Sequence, residues 1–332
     1  MRMTRTTQIV TTTMGRRRKP PPGARALNGW LVLDKPAGIS SARAVALVRA
    51  ALKPLRIGHA GTLDPLATGI LPMALGEATK TIAYAMNGTK AYRFTLHFGE
   101  ARTTDDAEGT VIATSAIRPA TADIEAILPR FIGQIAQVPP VFSAIKMAGQ
   151  RAYALARAGK PPEMAERIIE INDLKLISRP DPETAEFTVV CAKGTYIRAL
   201  GRDLAEALGT VGYVLALRRT QVGPFCEIHA IGLDKLDALG HSARAFEPLL
   251  PIETVLDDIP ALALSGDEAA LIRQGRAVKV LGTGGSRPRE GNADVSAELS
   301  DGTVVCAMDG TRLVALARYV AGEIHPVRVL NL

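Results

Sequence analysis

Cysteine is scarce in this 332-residue chain: Cys191, Cys226 and Cys306 stand far apart with no paired spacing. That excludes a disulfide framework and a cysteine-based zinc site, and it suits a reducing cytoplasm. Apolar runs are short, and none approaches the length of a membrane span. There is no Walker-type phosphate loop and no cluster of metal-ligating side chains. No internal repeat occurs. Aromatics are few, at seven Phe, six Tyr and one Trp, so an aromatic at a motif position carries more weight than usual.

Acidic residues are missing from residues 1–26, which hold Arg2, Arg5, Arg16, Arg17, Arg18, Lys19 and Arg25. Seven of the 40 basic residues sit there, leaving 33 against 33 acidic ones, so the net charge of +7 belongs to the tail. The body is neutral overall. If it binds nucleic acid, its charges must be segregated onto faces, because phosphate contacts dominate such binding. The tail is rich in Thr, Arg and Pro, and disorder is expected over 1–26. Three readings of it compete: an RNA-attracting arm, a transit peptide and a neutral extension. The absence of a sustained amphipathic helix, with Pro20-Pro21-Pro22 closing the tail, favours the first or the last.

The chain is long enough for a sizeable core and two domains. Gly29–Leu33 reads as a short buried strand, followed by the turn Asp34-Lys35-Pro36-Ala37-Gly38. Ser40 or Ser41 caps a helix with Val45, Leu47, Val48 and Leu52 at helical spacing, and Pro54 ends it. Glu77–Met86 reads as a helix stopped by Asn87-Gly88. Tyr92, Phe94, Leu96 and Phe98 alternate with polar residues in the clearest strand of the sequence. Residues 99–109 read as a polar loop, and Thr121–Leu128 as a helix. Phe187, Val189 and Cys191 mark another strand. Ile197, Leu200, Leu204 and Leu208 mark a helix stopped by Gly209, and Tyr213–Leu217 is a strand ending in Arg218-Arg219. Beyond Pro251–Pro260 come short apolar runs at 277–281, 304–308 and 313–317, with a mobile loop expected at Gly282–Gly291. Short strands with Gly turns point to a small β-barrel-like domain.

The most informative stretch is Gly58-His59-Ala60-Gly61-Thr62-Leu63-Asp64-Pro65-Leu66-Ala67-Thr68-Gly69. Three glycines and a proline favour a shaped loop over a helix, and such loops carry reacting groups when a scaffold holds them. Asp64 is the sole carboxylate between Asp34 and Glu77. On spacing alone an Asp-Pro pair reads as a structural turn.

The segment GHAGTLDPLATGILPMALGEATK, residues 58–80, closely resembles the catalytic segment of the TruB family, the tRNA pseudouridine-55 synthases. The resemblance is strong over about residues 28–250 and loose over 256–332. It implies an α/β (α+β) fold: a catalytic domain over 27–250 with a central mixed, largely antiparallel sheet, then a PUA-like RNA-binding β domain over 256–332. It implies that the protein isomerises uridine to pseudouridine at position 55 of the tRNA T arm without a cofactor. Asp64 is then the catalytic carboxylate, and Arg198, in Lys193-Gly194-Thr195-Tyr196-Ile197-Arg198, is its partner. A guanidinium beside a buried carboxylate favours its charged form. Tyr92, in Lys90-Ala91-Tyr92-Arg93, matches the ring that packs on the flipped base. His59 and Tyr196 match substrate contacts, Leu217 a pocket wall, and Lys35, in Leu33-Asp34-Lys35-Pro36, a supporting group. Arg218 and Arg219 are expected to reach phosphates. The Val138–Gly159 segment, with Pro139-Pro140 and Ser143, resembles the family's RNA-facing element; Phe142 stands where many relatives have Tyr. The expected partner is the tRNA T-arm stem-loop, bound by a monomer with no obligatory protein partner and no membrane. The rivals are a guide-dependent pseudouridine synthase and a tRNA-folding chaperone with incidental modification.

Overall fold

The structure, a computed structural model, describes residues 23–143, 145–147, 149–241, 247–280 and 299–332. The tail up to Pro22 and the Gly282–Gly291 loop lie outside them. The end of the tail is docked: the Arg25 amide donates to Lys53 O, and its carbonyl accepts from the Leu55 amide.

A ten-stranded sheet organises the first two-thirds of the chain. Along its path lie Ala230–Ile231, Gly29–Lys35, Thr68–Leu75, Gly212–Val222, Lys90–Phe98, Thr184–Cys191, Arg167–Ser178 and Gly133–Gln137. Two short strands, Ile57–His59 and Phe225–Cys226, pair off this path. Two contacts are parallel, Gly29–Lys35 with Ala230–Ile231 and Thr68–Leu75 with Gly212–Val222. The other neighbours run antiparallel, so the sheet is mixed and largely antiparallel.

Strand periodicity divides the core in two. In Gly29–Lys35, Leu31 and Leu33 point to one face, where the helices Ser41–Leu52 and Ile197–Ala207 cover them with Val48, Leu52, Leu200 and Leu204. Trp30 and Val32 point to the other face, against Phe225, Cys306, Met308, Leu313 and Leu316. A strand buried on both sides reads as one continuous apolar run, as Trp30–Leu33 does.

The helix over Ser41–Leu52 starts at Ser40, whose hydroxyl accepts from the Arg43 amide, and ends with Lys53 in the left-handed region. Glu77–Met86 is not one helix. It divides at Thr81 into a 3₁₀ turn over Gly76–Lys80 and a helix over Ile82–Asn87. The Thr81 hydroxyl bonds back to Ala78 O and competes with the helical ladder. The polar stretch 99–109 contains a strand, Glu100–Arg102, paired with Val111–Thr114. The strand expected at 213–217 runs from Gly212 to Val222.

A five-stranded sheet follows, ordered Ala261–Leu264, Val304–Asp309, Arg312–Val320, Glu323–Val329 and Val278–Lys279. The helix Gly266–Arg273 packs on it through Ala269 and Ile272, with Ser265 and Glu268 forming its capping box. No described helix is long and apolar enough to cross a membrane.

Candidate functional site

The Asp64 segment leaves the short strand Ile57–His59, turns through residues 60–67, and re-enters the sheet at Thr68. His59 and Gly69 therefore belong to strands, not to the loop. Gly69 has φ +96°, and a Cβ there would sit 2.2 Å from Arg219 O across the parallel pairing, so only glycine fits.

Four side chains from distant parts of the chain hold five successive residues of the turn. Arg219 donates to Gly61 O at 3.0 Å and to Thr62 O at 3.5 Å. The Ser41 hydroxyl accepts from the Leu63 amide at 2.8 Å and donates to Leu63 O at 2.9 Å. Arg198 Nε donates to Asp64 Oδ2 at 2.9 Å. Lys35 Nζ donates to Pro65 O at 3.2 Å, and to Pro36 O and Ile39 O at 2.9 and 2.8 Å. Irregular backbone is thus given partners that a ladder would otherwise supply.

Arg198 stands in the first turn of its helix and is 4% exposed, while the Asp64 side chain beside it is 37% exposed. Its other donors go to Thr104 O at 2.7 Å and Phe142 O at 2.8 Å. A second carboxylate, buried Asp106, lies 3.6 Å from Arg198 Nε and accepts from the Thr104 hydroxyl and the Glu108 amide. One guanidinium therefore faces two carboxylates, with its orientation fixed by two carbonyls. Phe142 contributes its backbone carbonyl, which does not depend on the side chain, and its ring packs edge-on against Tyr153.

Asp64 opens on a pocket of about 290 Å³, whose walls include Tyr92, Tyr196, Arg198, Leu217 and Arg219. Tyr92, Leu217 and Arg219 converge by register: Phe94 pairs with Leu217 and Tyr92 with Arg219 across adjacent strands. The Tyr196 backbone is clamped by buried Gln137, whose amide accepts from Tyr196 N at 2.9 Å and donates to Tyr196 O at 3.2 Å. Lys90, at the rim, donates to Met86 O and Gly88 O, and burial brings its pKa down to about 8. Burial raises the Tyr92 and Tyr196 hydroxyls above their ordinary value.

Five of the seven residues singled out from sequence thus meet at the pocket: Asp64, Tyr92, Tyr196, Arg198 and Leu217. Lys35 lies beneath the turn, where burial lowers its pKa to about 8 against the pull of Asp64. His59 is not among the pocket-lining residues. Its Nδ1 is buried without a hydrogen-bond partner, and burial, then Arg219, lowers its pKa.

The Arg218-Arg219 pair departs from expectation. Arg218 forms a bidentate pair with Asp34 and a further one with Glu227, so its charge is already satisfied. Arg219 is 1% exposed and donates to Ile70 O at 2.8 Å as well as to the turn. Burial keeps Arg219 from a phosphate, while Arg218, 35% exposed, stands at the surface paired with two carboxylates. Strand alternation carried this signal, since neighbours in a strand face opposite sides. The roles of Thr104, Asp106, Ser41 and Gln137 had no comparable local signal. Among the described residues no three His, Cys, Asp or Glu side chains are grouped to hold a metal ion.

Residues 49–197 match the family model described as the TruB family pseudouridylate synthase N-terminal domain, and 198–257 match the tRNA pseudouridylate synthase B C-terminal domain. The two matches meet between Ile197 and Arg198, inside one helix of the first sheet's cover. The chain is 51% identical over 320 residues to tRNA pseudouridine synthase B of Caulobacter vibrioides, covering 96% of this chain and 100% of that one. It is 50% identical over 319 residues to the protein of the same name from Rhodospirillum rubrum, at 96% and 100% coverage. Among solved structures, a Cbf5-Nop10-Gar1 complex aligns with a TM-score of 0.68 at 23% identity, covering 95% of this chain and 91% of that chain. An H/ACA RNP bound to a substrate RNA containing 2'-deoxyuridine also aligns at 0.68, with 22% identity and coverage of 92% and 85%. These two likenesses bear on the fold alone.

Proposed function

The chain belongs to the TruB family of pseudouridylate synthases, and from that premise we propose that it converts uridine to pseudouridine at position 55 in the T arm of tRNA. The single observation that carries this reading is the Asp64 carboxylate, held by Arg198 and open to a pocket walled by Tyr92, Tyr196 and Leu217. The names of the half-identical relatives support tRNA as the substrate.

The reaction breaks the N1–C1′ bond of a uridine and joins C1′ to C5, with no oxidation and no added atoms. A uridine within a folded arm must first leave its stack, at a cost of a few kcal/mol. Stacking on the Tyr92 ring returns about 1–3 kcal/mol of that. A pocket of about 290 Å³ is small among ligand clefts and suits one base. Asp64 meets the nucleotide with a charged oxygen. It serves by attack on the sugar or the base, or by assisting glycal formation. Arg198 holds that oxygen in place. Leu217 and Tyr196 confine the freed base, and Lys35 and His59 support the turn from beneath and from its entry. In the same reading, residues 27–250 form the catalytic body and 256–332 a PUA-like, RNA-contacting domain. The enzyme works in the cytoplasm as an unguided monomer.

The test is pseudouridine mapping on an unmodified tRNA transcript, with purified wild type and Asp64→Asn and nothing else added. Conversion at one T-loop uridine, lost by at least about 10³-fold in the variant while RNA binding persists, is the expected result. A wild type that binds the transcript and makes no product sinks the reading. An Asp64→Asn variant of normal rate sinks the role of Asp64.

A further inference from the structure

Two arginines line the pocket, and among the described residues only one of them has a carboxylate in contact. Arg198 is paired with Asp64 and lies close to Asp106. Arg219 is buried as deeply, yet its hydrogen-bond acceptors are the neutral carbonyls of Ile70, Gly61 and Thr62. Tyr92 lies opposite it across the strand pairing, and Asp64 acts on it only from a distance, without an ion pair among the described residues. A guanidinium taken out of water without a counter-ion is costly to keep. Holding the turn does not require that cost. One residue along, the neutral hydroxyl of Ser41 secures both the amide and the carbonyl of Leu63, and the neutral amide of Gln137 does the same for Tyr196. At Gly61 and Thr62 the chain instead spends a full positive charge, and that charge faces the pocket.

The proposed reaction puts one negative charge into the same space. When the N1–C1′ bond breaks, its electron pair leaves with the base, whose ring then carries one negative charge spread over N1, O2 and O4. C1′ is made whole by a bond to an Asp64 oxygen or by loss of the C2′ proton. Attack at C6 likewise leaves the ring anionic. When C5 bonds to C1′, the Asp64 oxygen leaves the carbon it attacked, or C2′ regains its proton; the base gives up its C5 proton and N1 regains one, and the charge is gone.

We propose that Arg219 is the standing counter-charge for the uracil anion that forms in this pocket. The arrangement is fixed before the substrate enters, by the strand register that sets Arg219 between Gly69 and Tyr92. Donors and charge that need no reorganisation are the effective kind in a dry site. Arg198 thus serves the sugar side of the reaction through Asp64, and Arg219 serves the base side.

This inference rests on the pseudouridine synthase reading, and its test separates the two. Single-turnover loss of the N-linked nucleoside is followed in a T-arm stem-loop whose target is uridine or 5-fluorouridine. The fluorine stabilises the ring anion, so help from the protein matters less. Arg219→Gln is expected to slow the uridine reaction by about 10²-fold or more. On 5-fluorouridine the defect shrinks at least about tenfold, with RNA affinity within about threefold of wild type. Arg219→Lys keeps the charge and shows the smaller loss with the same trend, and it carries the comparison if Arg219→Gln does not fold. Equal defects on both targets make Arg219 a strut for the turn and overturn the proposal, as does failure of both variants to fold. An inactive wild type instead overturns the reading on which the proposal rests.

Discussion

Among the described residues, every buried charged side chain lies in the first sheet, its loops or the helix packed on it: Lys35, Lys90, Asp106, Arg198 and Arg219. The C-terminal sheet buries none. Its interior is Val305, Ala307, Val314, Ala315, Ala317, Ile324 and the helix residue Ile272. Apolar burial there is enough to explain the fold. The first sheet has an equally apolar core and then gives up stability to place charge where it is hard to keep. The difference separates two kinds of work. One body presents its outer surface, and the other is shaped around an interior.

The comparison breaks most visibly at Arg198. Arg198→Ala leaves Asp64 and buried Asp106 facing each other without a cation, and a stopped pseudouridine assay is expected to show about a 10²–10³-fold loss. Chemical denaturation is expected to show a loss of about 3–5 kcal/mol, the usual result of orphaning a buried charge. A rate within tenfold of wild type contradicts the assignment. In the other body Ile272→Ala is expected to cost about 2–5 kcal/mol in urea titration and to leave the rate per folded molecule unchanged. A change in that rate would mean that the two bodies are coupled. Ser41→Ala removes both bonds to Leu63 at once. It should cost about 1–3 kcal/mol, because a buried amide loses its partner, and slow conversion about tenfold through a misplaced Asp64.

The last effect is one of pH and is read in stability alone. Burial, opposed by Asp64, brings Lys35 to about 8 in the folded chain, against an ordinary 10.5. Between those values the unfolded chain holds the extra proton, so Lys35 adds to stability as pH rises through that window and contributes no slope below pH 8. The stability of wild type relative to Lys35→Met is therefore expected to increase between pH 8 and pH 10, read from urea midpoints. A relative stability that falls over that range contradicts the assignment.

What the sequence made legible follows from what is local. The Ser40 cap, the alternation in Lys90–Phe98 and the apolar side of Ile197–Ala207 are each settled within a few residues, and each is present. Asp64 and Arg198 were legible only through family resemblance, because 134 residues separate them. Thr104 and Asp106 sit in a stretch whose polarity reads as solvated loop, yet two of its groups point inward at a cation. Gln137 replaces a strand partner for Tyr196 with a side-chain amide, which leaves no period to detect. The edge strand Gly133–Gln137 and its neighbour Arg167–Ser178 went unread, since exposed apolar residues such as Ile168 and Ile177 blur the period. Arg219 misled because a charge next to a charge suggests surface. Only the pleat distinguishes the half-exposed Arg218 from its buried neighbour.

The separation between Asp64 and its partners also has a meaning in time. A ribosome adding about 5–20 residues per second makes Asp64 roughly 7–27 s before the 134th residue after it, Arg198, exists. Arg219, whose contacts reach back 157 and 158 residues, comes later still. Until the Gly212–Val222 strand slots between Thr68–Leu75 and Lys90–Phe98, the carboxylate has no pocket around it. A partly made chain therefore carries Asp64 without the groups that hold it, and the site is complete only when the central strand of the sheet is laid in place.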